Sequence, residues 1–234
     1  MLGTSEMPIR KRLRRWPREI KDIDAVVAEP DLAPTPSAKP ARPTIRLMLC
    51  GSEQTRLIVL RGNSGSGKSS VARALRSAYG DGIAWVSQDL IRRTILKEKD
   101  RPGGANIGLI VQVTRYSLDH DYHVVLDGIL DSDRYEPMLA ALRRDHAGRS
   151  FFYYLEASLA ETLRRHDTRC ESGEFTHADM RSWYRPMDLL TGIAEHVISQ
   201  TSTLQQTTGR IIAETGLLSA DAADMSATGE TSRR

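Results

Sequence analysis

The sequence has very little cysteine. Cys50 and Cys170 are the only two among 234 residues, too few for a disulfide framework or a cysteine zinc site. No apolar run is long enough to span a bilayer. The first residues are charged early and lack the apolar segment of a secretory leader. No internal repeat is visible. Together these absences give the expectation of a soluble, cytoplasmic protein with no membrane partner.

The charge balance is small, at +3 overall, and unevenly distributed. The excess positive charge sits in "RKRLRRWPREIK", Arg10 to Lys21, so the remainder is slightly acidic. Such a tract suits contact with nucleic acid or anionic lipid, or a solvated tail, and the tail is the simpler reading. The stretch "EPDLAPTPSAKPARPT" that follows has the proline- and alanine-rich composition of an extended linker. The other end, "SADAADMSATGETSRR", is small, polar and short of apolar residues. The expected organisation is a basic, flexible tail and linker over 1–45, one folded domain over 46–217, and a disordered tail over 218–234.

Within the folded stretch, short apolar runs alternate with amphipathic ones. "RLIVL" suits a buried strand and Lys68 to Tyr79 a helix. "GIAWVSQD" gives a second strand ending at Asp89, followed by helical spacing in "LIRRTILKE" and "IGLIVQVTRYSLDH". "HVVLDG" is a third strand, and Ser132 is placed to cap the helix after it. "FFYYLEA" is a fourth strand, leading to the helix "SLAETLRRHDTR", a polar segment, and a further helix reaching about Met187. "EHVIS" suits a short fifth strand, and Thr203 with Gln206 reads as a capping box opening the last helix. Strands alternating with helices predict an α/β fold in which a parallel sheet carries helices on both faces.

Between the first strand and helix lies Gly62-Asn63-Ser64-Gly65-Ser66-Gly67-Lys68-Ser69, with Ser70 next. This is G-x-x-x-x-G-K-[ST] in strand-to-helix context, the signature of a P-loop. Glycines let backbone N–H groups wrap closely around phosphates, and the helix N-terminus adds partial positive charge. Lys68 would reach the β and γ phosphates, and Ser69 would offer its hydroxyl to Mg²⁺. The stretch Gly62 to Ser70 is therefore read as a nucleoside triphosphate site with Mg²⁺.

Asp89 follows the second strand, where strand ends line the ligand crevice of an open parallel sheet. There a carboxylate can take the proton of an acceptor hydroxyl, or it can cap the helix beginning at Leu90, and the two roles are compatible. One of Arg92 and Arg93 is placed to meet an anionic substrate or the transferring group, and a solvated surface position suits the other. Asp127 ends the third strand behind four apolar residues, as a Walker B aspartate does. It would serve Mg²⁺, directly or through water, or touch the acceptor instead. Asp131 and Asp133 read as capping or solvent-facing residues.

The motifs "GNSGSGKSS", "SQDLIRR" and "YLEASLAETLRRHDTR" followed by "THADMRSWYRPM" resemble the P-loop kinases of the polynucleotide-kinase, chloramphenicol-phosphotransferase and zeta-toxin-like group. The resemblance runs from Arg56 to Leu217. It implies a P-loop NTPase fold, a three-layer αβα sandwich with a parallel five-stranded sheet and a helical lid. It further implies that Asp89 is the general base and that Arg92 meets the acceptor. Arg165 and Arg169, with Arg164 as an alternative, would close over the nucleotide phosphates. The expected activity is transfer of the γ-phosphate of ATP to a hydroxyl of a small molecule such as a nucleoside, sugar or antibiotic. A polynucleotide 5′-hydroxyl kinase is the alternative; it is disfavoured because the only strong basic tract lies beyond the linker. A nucleotide-gated ATPase with no small-molecule acceptor is the alternative of another class.

Overall fold

The computed structural model describes residues 49–168 and 176–218, all within one compact unit, Arg46–Arg234. The tail and linker expected over 1–45 lie outside these residues, as do Arg169, Cys170 and all but Leu218 of the C-terminal tail. Among the described residues no helix is long and apolar enough to cross a membrane.

Five parallel strands are ordered β2-β3-β1-β4-β5. They are β1 (Arg56–Arg61), β2 (Ile83–Ser87), β3 (His123–Asp127), β4 (Arg149–Leu155) and β5 (His196–Ile198). β1 is central, with Leu60 in register with Asp127 of β3 and Tyr153 of β4. Its Leu57, Ile58, Val59 and Leu60 are all fully buried. A run apolar at every position, rather than at alternate ones, is what a strand covered on both faces requires.

The alternation of side chains along the strands divides the core into two layers. Leu57, Val59, Val124 and Leu126 pack with Ile110 and Leu118 of α2 (Ala105–Asp119) and with Leu139 and Leu142 of α3 (Ser132–Asp145). Ile58, Leu60 and Val125 face the other way, onto Val71, Ala72 and Leu75 of α1 (Lys68–Tyr79) and Ile211 of α6 (Leu204–Thr215). Each such buried valine, leucine or isoleucine contributes about 1.5–3 kcal/mol relative to exposure. The result is an αβα sandwich. α1 ends where Gly80, at φ +87°, donates its N–H to the Arg76 carbonyl, a positive-φ stop that glycine adopts without a Cβ penalty. The Thr203–Gln206 capping box is formed at the start of α6.

Several local expectations are corrected. β2 stops at Ser87, and Gln88 and Asp89 have already turned into a helical conformation. The helical spacing after them gives a single π-helical turn, Leu90–Ile95, closed by Leu96 N–H onto the Ile91 carbonyl at 3.0 Å. Ser132 does not cap α3. Asp131 occupies the cap position, and the Ser132 hydroxyl donates to Asp188 at 2.6 Å. The helix expected to reach Met187 is α5 (His177–Trp183), and the chain leaves it extended at Tyr184. Between β4 and α5, α4 (Leu159–Asp167) starts from Ser158, whose hydroxyl accepts from Glu161 N–H.

Candidate active site

The expected phosphate cradle stands at the C-terminal end of the central strand, where β1 passes through residues 62–67 into α1. Gly62, Gly65 and Gly67 have φ of +139°, +80° and +103°, values that side chains rarely allow. A Cβ at Gly62 would be driven into the Leu155 carbonyl, and one at Gly65 would come 2.9 Å from that of Thr162. The cradle is thus pressed against the end of β4 and against α4. Lys68 is buried, and its ammonium donates to the Asn63 carbonyl at 2.8 Å and the Ser66 hydroxyl at 3.3 Å. The Asn63 side chain is occupied elsewhere: it donates to the Arg185 carbonyl at 2.7 Å and accepts from Arg185 N–H at 2.9 Å. Ser64 is half-buried in the loop, and Ser69 and Ser70 are exposed at the start of α1.

Asp127 is buried, with both carboxylate oxygens engaged. The Ser69 hydroxyl donates to Oδ2 at 2.7 Å, and the Trp85 indole N–H donates to Oδ1 at 2.8 Å. A hydroxyl beside a carboxylate is a pair of hard oxygen donors that suits Mg²⁺. Among the described residues no group of three or more His, Cys, Asp and Glu side chains is assembled for a metal. An ion held by Ser69 and Asp127 would therefore take its other ligands from phosphate and water, as Mg²⁺ in nucleotide sites does. The role of Trp85 has no sequence signal: "AWVS" reads only as strand.

Asp89 lies at the mouth of the cradle, its side chain 60 % exposed. Its Oδ1 accepts from Arg92 at 3.0 Å and from Arg93 at 3.1 Å. Spacings of three and four residues bring both guanidiniums back onto one carboxylate. Arg93 also lies over the Trp183 ring, 5.9 Å from its centroid. Asp127 and Asp89 share one narrow cleft of about 60 Å³ with Lys68 and Ser69.

Arg165 of α4 donates to the Ser66 carbonyl at 3.0 Å and the Gln200 carbonyl at 3.2 Å, joining the cradle to the β5–α6 loop. Glu161 holds it through Nε at 2.6 Å and also takes Arg164, which is otherwise exposed. These two guanidinium hydrogen bonds hold the Glu161 carboxyl down at about 2. Arg169 falls outside the described residues.

A buried arginine, legible to no sequence pattern, braces this frame. Arg61 ends β1 with none of its side chain exposed. It donates to the Leu130 carbonyl at 2.9 Å, Glu195 at 2.7 Å and Asp188 at 3.1 Å. These contacts fix the segment between α5 and β5 that offers the Arg185 backbone to Asn63. Asp131, expected to cap or face solvent, is also buried; its Oδ2 receives Arg134 at 3.1 Å and Arg185 at 3.0 Å.

Two larger cavities flank the cleft. One, of about 530 Å³, runs from Gly65 and Gly67 past Arg165 to Gln200 and Leu204. The other, of about 560 Å³, lies beyond Asp89 and is lined by Arg92, Arg93, Asp131, Trp183 and Arg185 among others. Residues 57–190, the stretch holding the cradle, Asp89 and Asp127, match the family model AAA_33, an AAA domain. The chain belongs to this family.

As an AAA_33 domain, the protein has a fold similar to several solved structures. APE1195 is 15 % identical, over 73 % of this chain and 99 % of that one, with a TM-score of 0.56. The APS kinase CysC of Mycobacterium tuberculosis, solved with AMPPNP and APS, is 18 % identical over 70 % and 97 %, at 0.53. A sugar kinase from Janibacter sp. HTCC2649 is 14 % identical over 70 % and 96 %, at 0.51. At these identities the likeness is one of fold. No curated protein matches the AAA_33 chain in sequence.

Proposed function

We propose that the protein is an ATP-dependent phosphotransferase that moves the γ-phosphate of ATP to a hydroxyl of a small molecule. One observation carries the reading: Lys68, Ser69, Asp127 and Asp89 line a single cleft with a separate cavity on either side of it. The cleft shares Gly65 and Gly67 with one cavity and Arg93 and Ile129 with the other. That is the arrangement a transfer between two bound molecules needs.

In this reading the cavity along Arg165 and Gln200 takes the nucleoside end of ATP. The cradle takes its phosphates on backbone N–H groups and on Lys68, which exchanges its bond to the Asn63 carbonyl for phosphate oxygens. Ser69 and Asp127 hold Mg²⁺, which supplies neutralisation of charge on the phosphates when bound. The fixing of Asp127 by Trp85 supports the metal role for this carboxylate over contact with the acceptor. Arg165, whose guanidinium already lies on the cradle, stabilises charge that develops in transfer. The acceptor occupies the other cavity, with Arg92 on its wall. Its hydroxyl oxygen bonds to Pγ as the bond from Pγ to the β–γ bridging oxygen breaks. The hydroxyl proton passes to Asp89, and ADP leaves with the electron pair of the broken bond.

The test is ATP consumption by the protein and by Asp89→Ala with Mg²⁺. The acceptor panel comprises nucleosides, sugars, aminoglycoside-like compounds and 5′-hydroxyl oligonucleotides. Turnover that needs one acceptor class and falls at least 100-fold in the variant is expected, because general-base removal costs about 10²–10⁴. Slow turnover indifferent to acceptor and to Asp89 would instead favour the nucleotide-gated ATPase.

A further inference from the structure

The cavity beyond Asp89 is rich in charge, yet its charges cancel. Arg92 and Arg93 converge on Asp89 at 3.0 and 3.1 Å. Arg134 and Arg185 converge on buried Asp131, and Arg185 also meets Asp133 at 2.6 Å. Lys99, Asp100 and Asp179 complete the ionic wall. With their partners included, five cations stand against five carboxylates, so the wall favours an ion of neither sign. Every guanidinium there is already held by a carboxylate, and a charged ligand would have to break one of those pairs.

Asp100, to which no sequence pattern points, is held differently from the other carboxylates. Its Oδ1 accepts from the buried Tyr135 hydroxyl at 2.7 Å. Its Oδ2 has only distant donors, the Gln88 amide at 3.5 Å and Arg134 at 3.6 Å, both too long for a strong N–H···O bond. Arg134 is committed to Asp131 at 3.1 Å, so Oδ2 is an under-used acceptor on the cavity wall. The support behind it is buried. Gln88 donates to the Tyr135 oxygen at 2.7 Å and accepts the Leu130 N–H at 3.1 Å. Burial, with Asp100 beside it, pushes the Tyr135 phenol up, so the hydroxyl stays a donor and its one proton is spent on Asp100. Gln88 immediately precedes Asp89 in the chain, so one buried side chain ties the Asp100 carboxylate to the segment that carries the base. Trp183 adds a flat apolar surface to the same wall, and an aromatic face attracts the partial positive charge of C–H groups.

We infer that the acceptor is an uncharged polyhydroxyl compound, and that Asp100 binds it by accepting a hydrogen bond from a second hydroxyl while the reacting hydroxyl faces Asp89. This rests on the phosphotransferase reading and names the substrate class of the same site. A hydroxyl both donates and accepts. It can therefore give its proton to Oδ2 and take a hydrogen bond from a neighbouring guanidinium with every ion pair intact. The C–H face of the same molecule lies on Trp183. Tyr135 and Gln88 are positioning residues, since they act on the acceptor only through Asp100.

The experiment uses the full chain and acceptors that differ by one hydroxyl or one charge. The probes are glucose with its 2-, 3- and 4-deoxy forms, adenosine with 2′- and 3′-deoxyadenosine, and the charged counterparts glucose 6-phosphate, glucosamine and AMP. kcat/KM is measured for each in the wild type, Asp100→Asn and Tyr135→Phe, with melting temperatures to establish folding. Asparagine keeps an oxygen for Tyr135 and replaces the free acceptor with a donor. In the wild type a neutral member is expected to be preferred over its charged counterparts, and removal of one particular hydroxyl should cost about 10- to 100-fold, the range of a hydrogen bond to a carboxylate. In Asp100→Asn that same removal should cost less than about threefold while KM for ATP is unchanged, a coupling that general loss of structure would not give. Tyr135→Phe should raise KM for the acceptor and leave KM for ATP as it was. Preference for a charged member, or deoxy penalties equal in wild type and Asp100→Asn, overturns the inference and leaves the phosphotransferase reading standing. If no compound is turned over, glucose and adenosine are titrated calorimetrically into protein whose P-loop is filled with AMPPNP and Mg²⁺. Binding that Asp100→Asn weakens supports the polyhydroxyl cavity while the transfer reading falls, and no binding of either probe overturns the cavity assignment.

Discussion

Replacing Arg61 with methionine should be among the most damaging single changes outside the cradle. The guanidinium has no exposed surface and holds Glu195, 1 % exposed, and Asp188, 13 % exposed. The two carboxylates differ in what remains to them. Asp188 keeps the Ser132 N–H at 2.9 Å and hydroxyl at 2.6 Å. Glu195 keeps only the Leu190 N–H, at 2.8 Å, and its Oε1 already lacks a partner. Breaking a buried pair from one side costs about 3–5 kcal/mol, most of it from the orphaned charge. For a domain of this size that corresponds to a fall in melting temperature of roughly 6–20 °C. Circular dichroism melts of wild type, Arg61→Met, Glu195→Gln and the double variant measure it. The double variant should be less destabilised than the sum of the singles, because the second change removes the charge the first one strands. A fall below about 3 °C for Arg61→Met, or simple additivity of the two changes, would refute the assignment of Glu195 as the source of the cost.

Trp85→Phe keeps the ring and deletes the N–H on Asp127. Loss of a hydrogen bond to a charged group, about 1.5–3 kcal/mol, should raise the Mg²⁺ needed for half-maximal nucleotide binding by about 10- to 100-fold, read by titration of a fluorescent ATP analogue. Gly62→Ala should weaken ATP binding and lower stability by at least about 2 kcal/mol, since both the positive φ and the Leu155 carbonyl oppose a Cβ. His146 lies between the hydroxyls of Thr55 and Ser150, each at 2.9 Å, and burial pushes it down to about 4. Because the unfolded chain takes up the proton first, its contribution is complete above about 6.5 and is lost as pH falls from 6.5 toward 4. The loss amounts to at most about 3 kcal/mol. The stability difference between wild type and His146→Gln should shrink over that window, and a constant difference would remove His146 as its cause.

The local elements and the cradle were legible because they depend on short-range chemistry. An all-apolar strand, a glycine loop and an amphipathic helix occupy consecutive residues from 56 to 79, and each is dictated by its own neighbours. The capping box at Thr203 was legible for the same reason. The helix expected to reach Met187 was not, because the segment after Trp183 is held open by distant groups: Asn63 on the Arg185 backbone, and Arg61 and Ser132 on Asp188. Asp131 looked like a loop carboxylate until Arg134 and Arg185 closed over it.

The sequence alone therefore determined the parallel sheet with helices on both faces and the glycine loop between β1 and α1, whose signals are periodicity and spacing. Only the tertiary structure decided which charges meet. It buried Arg61 against two carboxylates more than a hundred residues away, set the Trp85 indole on Asp127, and closed Arg134 and Arg185 over Asp131. Net charge sums over the whole surface, whereas a binding site feels only the groups that folding brings within a few ångströms, and that selection is made by packing.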